Sequence, residues 1–137
     1  MALTKVLIVD DSADFRGMVK DYLKMHDLGF EIFEASTGEM GVAKAACVRP
    51  DIVLMDIHLP HSSGLEAAKH IKGDNPQCDV IILTMFEVDA FKQAAKNISA
   101  VDFIGKSEIY ERLLPSINKC LTKKQGEING RKPGKRI

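Results

Sequence analysis

No apolar run in the sequence approaches the roughly 20 residues needed to cross a bilayer. The N-terminus, MALTKVLIVDDS, has too short an apolar segment and no small-residue cleavage site for a signal peptide. A cytoplasmic protein is therefore expected. Cysteine is scarce: Cys47, Cys78 and Cys120 are odd in number and show no CxxC spacing, which argues against both a disulfide framework and a zinc site. They are expected to be buried or partly buried thiols. His58 and His61 form an HxxH, but in a proline-containing loop that does not hold the pair as a helix would, so a zinc site is not read there either. Nothing after the first apolar run resembles GxxxxGK[ST] or GxGxxG, so a nucleotide held by backbone amides has no support.

What is present suits one soluble domain. The chain has 137 residues, 45% hydrophobic and 28% charged, and a domain of this size buries roughly two-thirds of its unfolded surface. The net charge of zero conceals a split: Thr122 to Ile137 holds six Lys/Arg against one Glu, a net +5, leaving −5 on residues 1–121. Residues 1–121 are expected to form the folded domain and 122–137 a basic, disordered tail. That tail reads as solvated rather than as a grip on nucleic acid, because it lacks aromatic residues and a fold.

The organising stretch is DIVLMDIHLPHSSG, Asp51 to Gly64. Ile52 to Met55 are too few for a helix and are bounded by Pro50 and Pro60, so they predict a buried strand ending at Asp56. Val6 to Val9 is a similar run ending at Asp10-Asp11. Ser12 then offers a helix N-cap, and Phe15, Met18, Val19, Tyr22 and Leu23 recur at helical spacing. Phe30 to Ala35 alternates, as an edge strand does. Thr37 to Glu39 opens a second helix with Met40, Ala43 and Cys47 inward, closed before Pro50. A helix with Leu65, Ala68 and Ile71 inward follows the Pro60 to Gly64 loop. Val80 to Leu83 predicts a strand ending at Thr84. Val88, Phe91 and Ala95 mark a weaker helix, and Val101 to Ile104 a short strand before Lys106. The last helix uses Ile109, Leu113, Ile117 and Leu121, with Ser107 as its cap. Five strands alternating with five helices predict an α/β fold, a doubly wound parallel sheet.

In such a sheet Asp10, Asp11, Asp56, Thr84 and Lys106 all fall at the carboxyl edge, where ligands bind. If the strand order is 2-1-3-4-5, the three aspartates crowd together and repel by about 1 to 4 kcal/mol per pair. A Mg²⁺ ion with oxygen ligands suits that repulsion and leaves sites for phosphate oxygens. Lys106 can reach a phosphoryl group and the Thr84 hydroxyl can donate to one. With no nucleotide site, Asp56 is itself the natural acceptor, forming an aspartyl phosphate.

The segments VDDS (9–12), DIVLMDIHLPHSSG (51–64), ILTMF (82–86) and FIGKS (103–107) resemble the receiver domain of bacterial two-component response regulators, over residues 4 to about 121. The resemblance implies a flavodoxin-like, CheY-like fold with strand order 2-1-3-4-5. It implies that Asp56 accepts phosphate from a histidine kinase or histidine phosphotransfer protein. Asp11, Asp56 and the His58 backbone carbonyl would bind Mg²⁺, with Asp10 acting through water. Thr84 and Phe103 would be the switch pair, remodelling the face made by the fourth helix, fifth strand and fifth helix for a downstream protein. Position 58 and Met85 would affect phosphoryl lifetime. The family often has Pro after the lysine, commonly with a cis bond; here Ser107 stands there.

The expectation is a single-domain response regulator, not an enzyme, with no membrane or nucleic-acid partner. RPDIVLMDIHLP and ILTMF are similar to the NarL-type branch, so the alternative is the receiver half of a DNA-binding transcriptional regulator. More distant alternatives are a metal-dependent phosphatase with Asp56 as nucleophile and a degenerate docking module that takes up no phosphate.

Overall fold

Every position of Val6 to Val9, Ile52 to Met55 and Val80 to Leu83 is apolar, a pattern stable in a strand covered on both faces. A computed structural model describes residues 3–26, 29–85 and 89–128, the side chains of 124–128 excepted, and buries all of these positions to 1% exposure or less. The elements are β1 (Thr4–Val9), α1 (Ala13–Met25), β2 (Phe30–Ala35), α2 (Gly38–Val48), β3 (Ile52–Asp56), a small hairpin of β4 (His58–Leu59) and β5 (Ser62–Ser63), α3 (Gly64–Asp74), β6 (Asp79–Thr84), α4 (Asp89–Asn97), β7 (Asp102–Gly105), a 3-10 turn over Lys106–Glu108, and α5 (Ile109–Ile128). The five long strands are parallel in the order β2-β1-β3-β6-β7. Counted without the hairpin, that is the expected 2-1-3-4-5 order with five helices.

The strand period of two divides the core into two layers. Val6, Ile8, Ile52, Leu54, Ile81 and Leu83 face α1 and α5, meeting Val19, Leu23, Leu113 and Ile117. Leu7, Val9, Val53, Met55, Val80 and Ile82 face the other way, toward Ala45, Ala67, Ala68, Ile71 and Ala95. Removing one of these large side chains, as in Leu7→Ala, typically costs about 2–5 kcal/mol.

Local signals account for the helix starts. Ser12 accepts from Phe15 N and Thr37 from Met40 N, as N-caps do. The end of α2 is Arg49 in the left-handed region at φ 53, directly before Pro50.

Several expectations are corrected. Met40 is 52% exposed and Ala43 and Cys47 are also exposed; the inner face of α2 is instead Gly38, Gly41 and Ala45. Small residues serve there because the helix lies close to β1: a Cβ on Gly41 would stand 3.0 Å from Val9 Cγ2. Among the thiols only Cys78 and Cys120 are buried. The Pro60 to Gly64 loop supplies the turn and second strand of the β4–β5 hairpin, turned by Pro60 and by His61 at φ 60. Ser107 does not cap α5, because a 3-10 turn starting at Lys106 precedes the helix. The Lys106–Ser107 peptide is trans, as are the other peptide bonds among the described residues. α5 continues past Leu121 to Ile128, and residues 129–137 of the expected tail lie outside the described residues, as does Val88. Among the described residues no helix is long and apolar enough to cross a membrane.

Candidate functional site

β1 and β3 are neighbours with Val9 beside Met55, so the residues that leave the two strands at their carboxyl ends emerge side by side. Carboxylate oxygens of Asp10, Asp11 and Asp56 lie within 4.8 Å of one another. Asp10 and Asp56 are 1% and 3% exposed, whereas Asp11 is open to solvent. Lys106, reaching in from the far side of the sheet, donates from Nζ to Asp10 Oδ2 at 2.6 Å and stands 3.6 Å from Asp56 Oδ2. The Phe15 ring lies beneath that ammonium at 4.3 Å, a cation–π contact that holds the lysine over the acids.

Backbone groups orient the carboxylates. Ser12 N donates to Asp10 Oδ1 at 2.8 Å, and His58 N donates to Asp56 Oδ1 at 3.2 Å. Arg16 Nη1 donates to the Asp10 carbonyl at 2.6 Å, fixing the turn between β1 and α1. The turn after β3 depends on Gly64: its N–H bonds the Ile57 carbonyl at 3.0 Å, and a Cβ there would fall 1.8 Å from the Asp56 carbonyl oxygen. Only glycine lets the chain return this closely beneath Asp56.

Among the described residues Lys106 is the cation paired with this cluster, reaching Asp10 and Asp56, so the three carboxylates carry excess negative charge, two of them buried. Burial pushes the Asp56 carboxyl above its ordinary range; Lys106 and the His58 N–H pull it back, while Asp10 and Asp11 push it further up. The donor set fits a hard divalent cation: all oxygen, mostly anionic, partly open at Asp11. Receiver domains typically bind Mg²⁺ at such an aspartate cluster.

The remaining expected residues fall around this centre. Thr84 ends β6 fully buried, paired in register with Gly105 next to Lys106. Met85 beside it is 68% exposed. His58 is exposed and its ring packs edge-on against Phe91 of α4 at 5.2 Å. Asp11, His58, Ser62, Leu65 and Phe91 help line an open groove of about 540 Å³ beside the acids. Phe103 is partly buried in β7 and lines a separate cavity of about 280 Å³ between α4 and α5. Sequence reasoning assigned no role to Gly64 or to the Phe15 platform. The signal for Gly64 was its place at the close of a proline-broken loop; Phe15 read only as part of an amphipathic stripe.

Residues 6–118 match the family described as the response regulator receiver domain. The chain is 38% identical over 118 residues to the chemotaxis protein CheY of Bacillus subtilis, a match covering 85% of this chain and 97% of that protein. It is 36% identical over 116 residues to CheY of Thermotoga maritima, covering 84% and 95% respectively. Among solved structures it is similar to a CheY-like response regulator receiver domain protein of Methanospirillum hungatei, with a TM-score of 0.85 at 27% identity over 92% of this chain and 99% of that one. Fold, strand order and the span of the match agree, and this chain belongs to the response regulator receiver domain family of two-component signalling.

Proposed function

We propose that this receiver is a phosphoryl acceptor and that Asp56 carries the phosphate. Receiver domains of the family interact with histidine kinases or phosphotransfer proteins and with downstream targets. The observation that supports the reading here is the meeting of three carboxylates within 4.8 Å, two of them paired with Lys106. A structural cluster would be balanced by its own cations, whereas this one is left for a ligand that supplies positive charge.

Asp11, Asp56 and the His58 carbonyl would hold Mg²⁺, with Asp10 acting through water. When bound, the ion neutralises charge on the oxygens of the transferring group. The chain's own residues do the rest. An Asp56 carboxylate oxygen bonds to phosphorus as the bond from phosphorus to the donor breaks, and the donor departs with that electron pair. Lys106, already 3.6 Å from Asp56, moves from balancing carboxylates to balancing phosphoryl oxygens. The Thr84 hydroxyl donates to the new group and vacates space that Phe103 takes from behind. The face of α4, β7 and α5 then presents a different surface, which a downstream protein reads. A phosphoryl group adds about −1.5 to −2 charge at pH 7, and each 1.4 kcal/mol of partner preference between the two states shifts the population tenfold.

Intact mass after incubation with Mg²⁺ and acetyl phosphate tests the reading, with Asp56→Asn run in parallel. One added phosphoryl group is expected, dependent on Mg²⁺ and absent from the variant. No gain under conditions where Mg²⁺ binding is shown separately would overturn it in favour of a docking module that takes up no phosphate.

A further inference from the structure

Among the described residues β7 has a strand neighbour only on the β6 side, so the outward backbone groups of this edge strand need other partners. At Phe103 both are supplied by side chains. Its N–H donates to Asp102 Oδ1 at 2.8 Å, and its carbonyl accepts from Arg112 Nη2 at 3.1 Å. The same Nη2 donates to Asp102 Oδ1 at 3.1 Å, and Arg112 Nη1 donates to Glu108 Oε1 at 2.9 Å. The second Asp102 oxygen accepts from the hydroxyl of Ser116, which is 2% exposed. Glu108, Arg112 and Ser116 recur every four residues, one face of a helix, and that face is laid along the Phe103 backbone. Glu108 also ends the turn that begins with Lys106.

We propose that Arg112 and Asp102 are positioning residues for the switch, closing the sheet edge at Phe103 so that its backbone stays fixed while its side chain changes place. The inference rests on reading Thr84 and Phe103 as the switch pair. A fixed backbone makes the two ring positions discrete, because the ring cannot reach intermediate places by drifting with the strand. Without the clamp the edge loosens, and the ring samples the loaded position before any phosphoryl group arrives. The guanidinium fork is needed for this: it reaches the carbonyl, Asp102 and Glu108 together, which a single ammonium cannot do.

The test places 4-fluorophenylalanine at position 103 and follows its fluorine resonance with and without Mg²⁺ and beryllofluoride. The wild-type background is expected to give two well-separated positions. Arg112→Ala should at least halve their separation by moving the free resonance toward the loaded one, Arg112→Lys should fall between, and phosphoryl uptake at Asp56 should be unchanged. In Asp102→Asn, exchange of the Phe103 amide hydrogen should speed about tenfold. A wild-type resonance that does not move on loading overturns the switch reading, and the clamp with it. A wild-type resonance that moves, with both Arg112 variants starting and ending where it does, overturns the clamp alone. Should Arg112→Ala fail to fold, Arg112→Lys and Ser116→Ala carry the same comparison.

Discussion

At the amino-terminal edge of the sheet, acidic residues are matched one by one. Asp51 Oδ2 accepts from Lys5 N at 2.8 Å while the Lys5 ammonium caps the Val48 carbonyl at the end of α2. Asp79, 2% exposed, accepts from Lys123 Nζ at 2.8 Å. At the carboxyl edge the same residue types are concentrated, with Asp10 and Asp56 sharing Lys106 and Asp11 beside them. In the first arrangement each of these two acids has a donor of its own. The second gathers like charges, a repulsion that a bound cation would relieve. A carboxylate therefore has a different setting at the two ends of one strand, as β3 shows with Asp51 just before it and Asp56 at its end.

The comparison breaks most sharply at Gly64. A methyl group there meets the Asp56 carbonyl oxygen at 1.8 Å, so Gly64→Ala is expected to cost about 3 kcal/mol or more, read as a lower urea midpoint, together with loss of phosphoryl uptake. An unchanged midpoint would show that the turn can open without disturbing the fold. Next in size is the metal: Mg²⁺ at a hundred times its dissociation constant should stabilise the protein by about 2.7 kcal/mol. The gain should shrink in Asp11→Asn, and equal gains in both proteins would move the ion elsewhere.

A matched pair of neutral substitutions tests the contrast itself. Asp56→Asn removes like-charge repulsion from a crowded site, so the metal-free variant should be more stable than wild type by about 1 kcal/mol. Asp79→Asn removes the negative charge from a paired site and should be less stable by about 1–2 kcal/mol, the usual cost being discounted because Lys123 is half exposed. The same sign for both would sink the distinction between the edges.

The smallest effect concerns Glu34 on β2, whose carboxyl is held below the usual carboxylate range by hydrogen bonds from Lys20 and Arg16. A carboxyl depressed in the folded state contributes stability above its unfolded pKa of about 4.3 and loses it as pH falls through the folded value. Glu34→Gln should therefore cost up to about 1 kcal/mol at pH 7 and nothing near pH 2. An equal cost at both would mean packing, not charge.

The strands and the acid cluster were legible because both follow from short local patterns. Runs such as Val6 to Val9 announce strands buried on two faces, and parallel topology carries whatever follows them to one edge. Helix faces were less legible where small residues do the packing: Gly38, Gly41 and Ala45 give almost no hydrophobic signal, so Met40 and Cys47 drew the inner face of α2 to the wrong side. The hairpin at His58 to Ser63 was hidden because two-residue strands have no periodicity to read. The edge closure at Phe103 was invisible for another reason. Asp102 is a charged residue in a short apolar strand, and the partners that explain it, Arg112 and Ser116, lie on the helix that follows.

The bond between Lys106 and Asp10 joins residues 96 apart in the chain, and such closures come late in assembly. A nascent chain extended only through β6 already carries Asp10, Asp11 and Asp56 but has no Lys106 to steady them. The counter-charge of the acid cluster thus arrives with the last strand of the sheet. A copy that ends before β7 would hold these acids without Lys106, so the placement of one lysine ties the charge balance of the cluster to completion of the sheet.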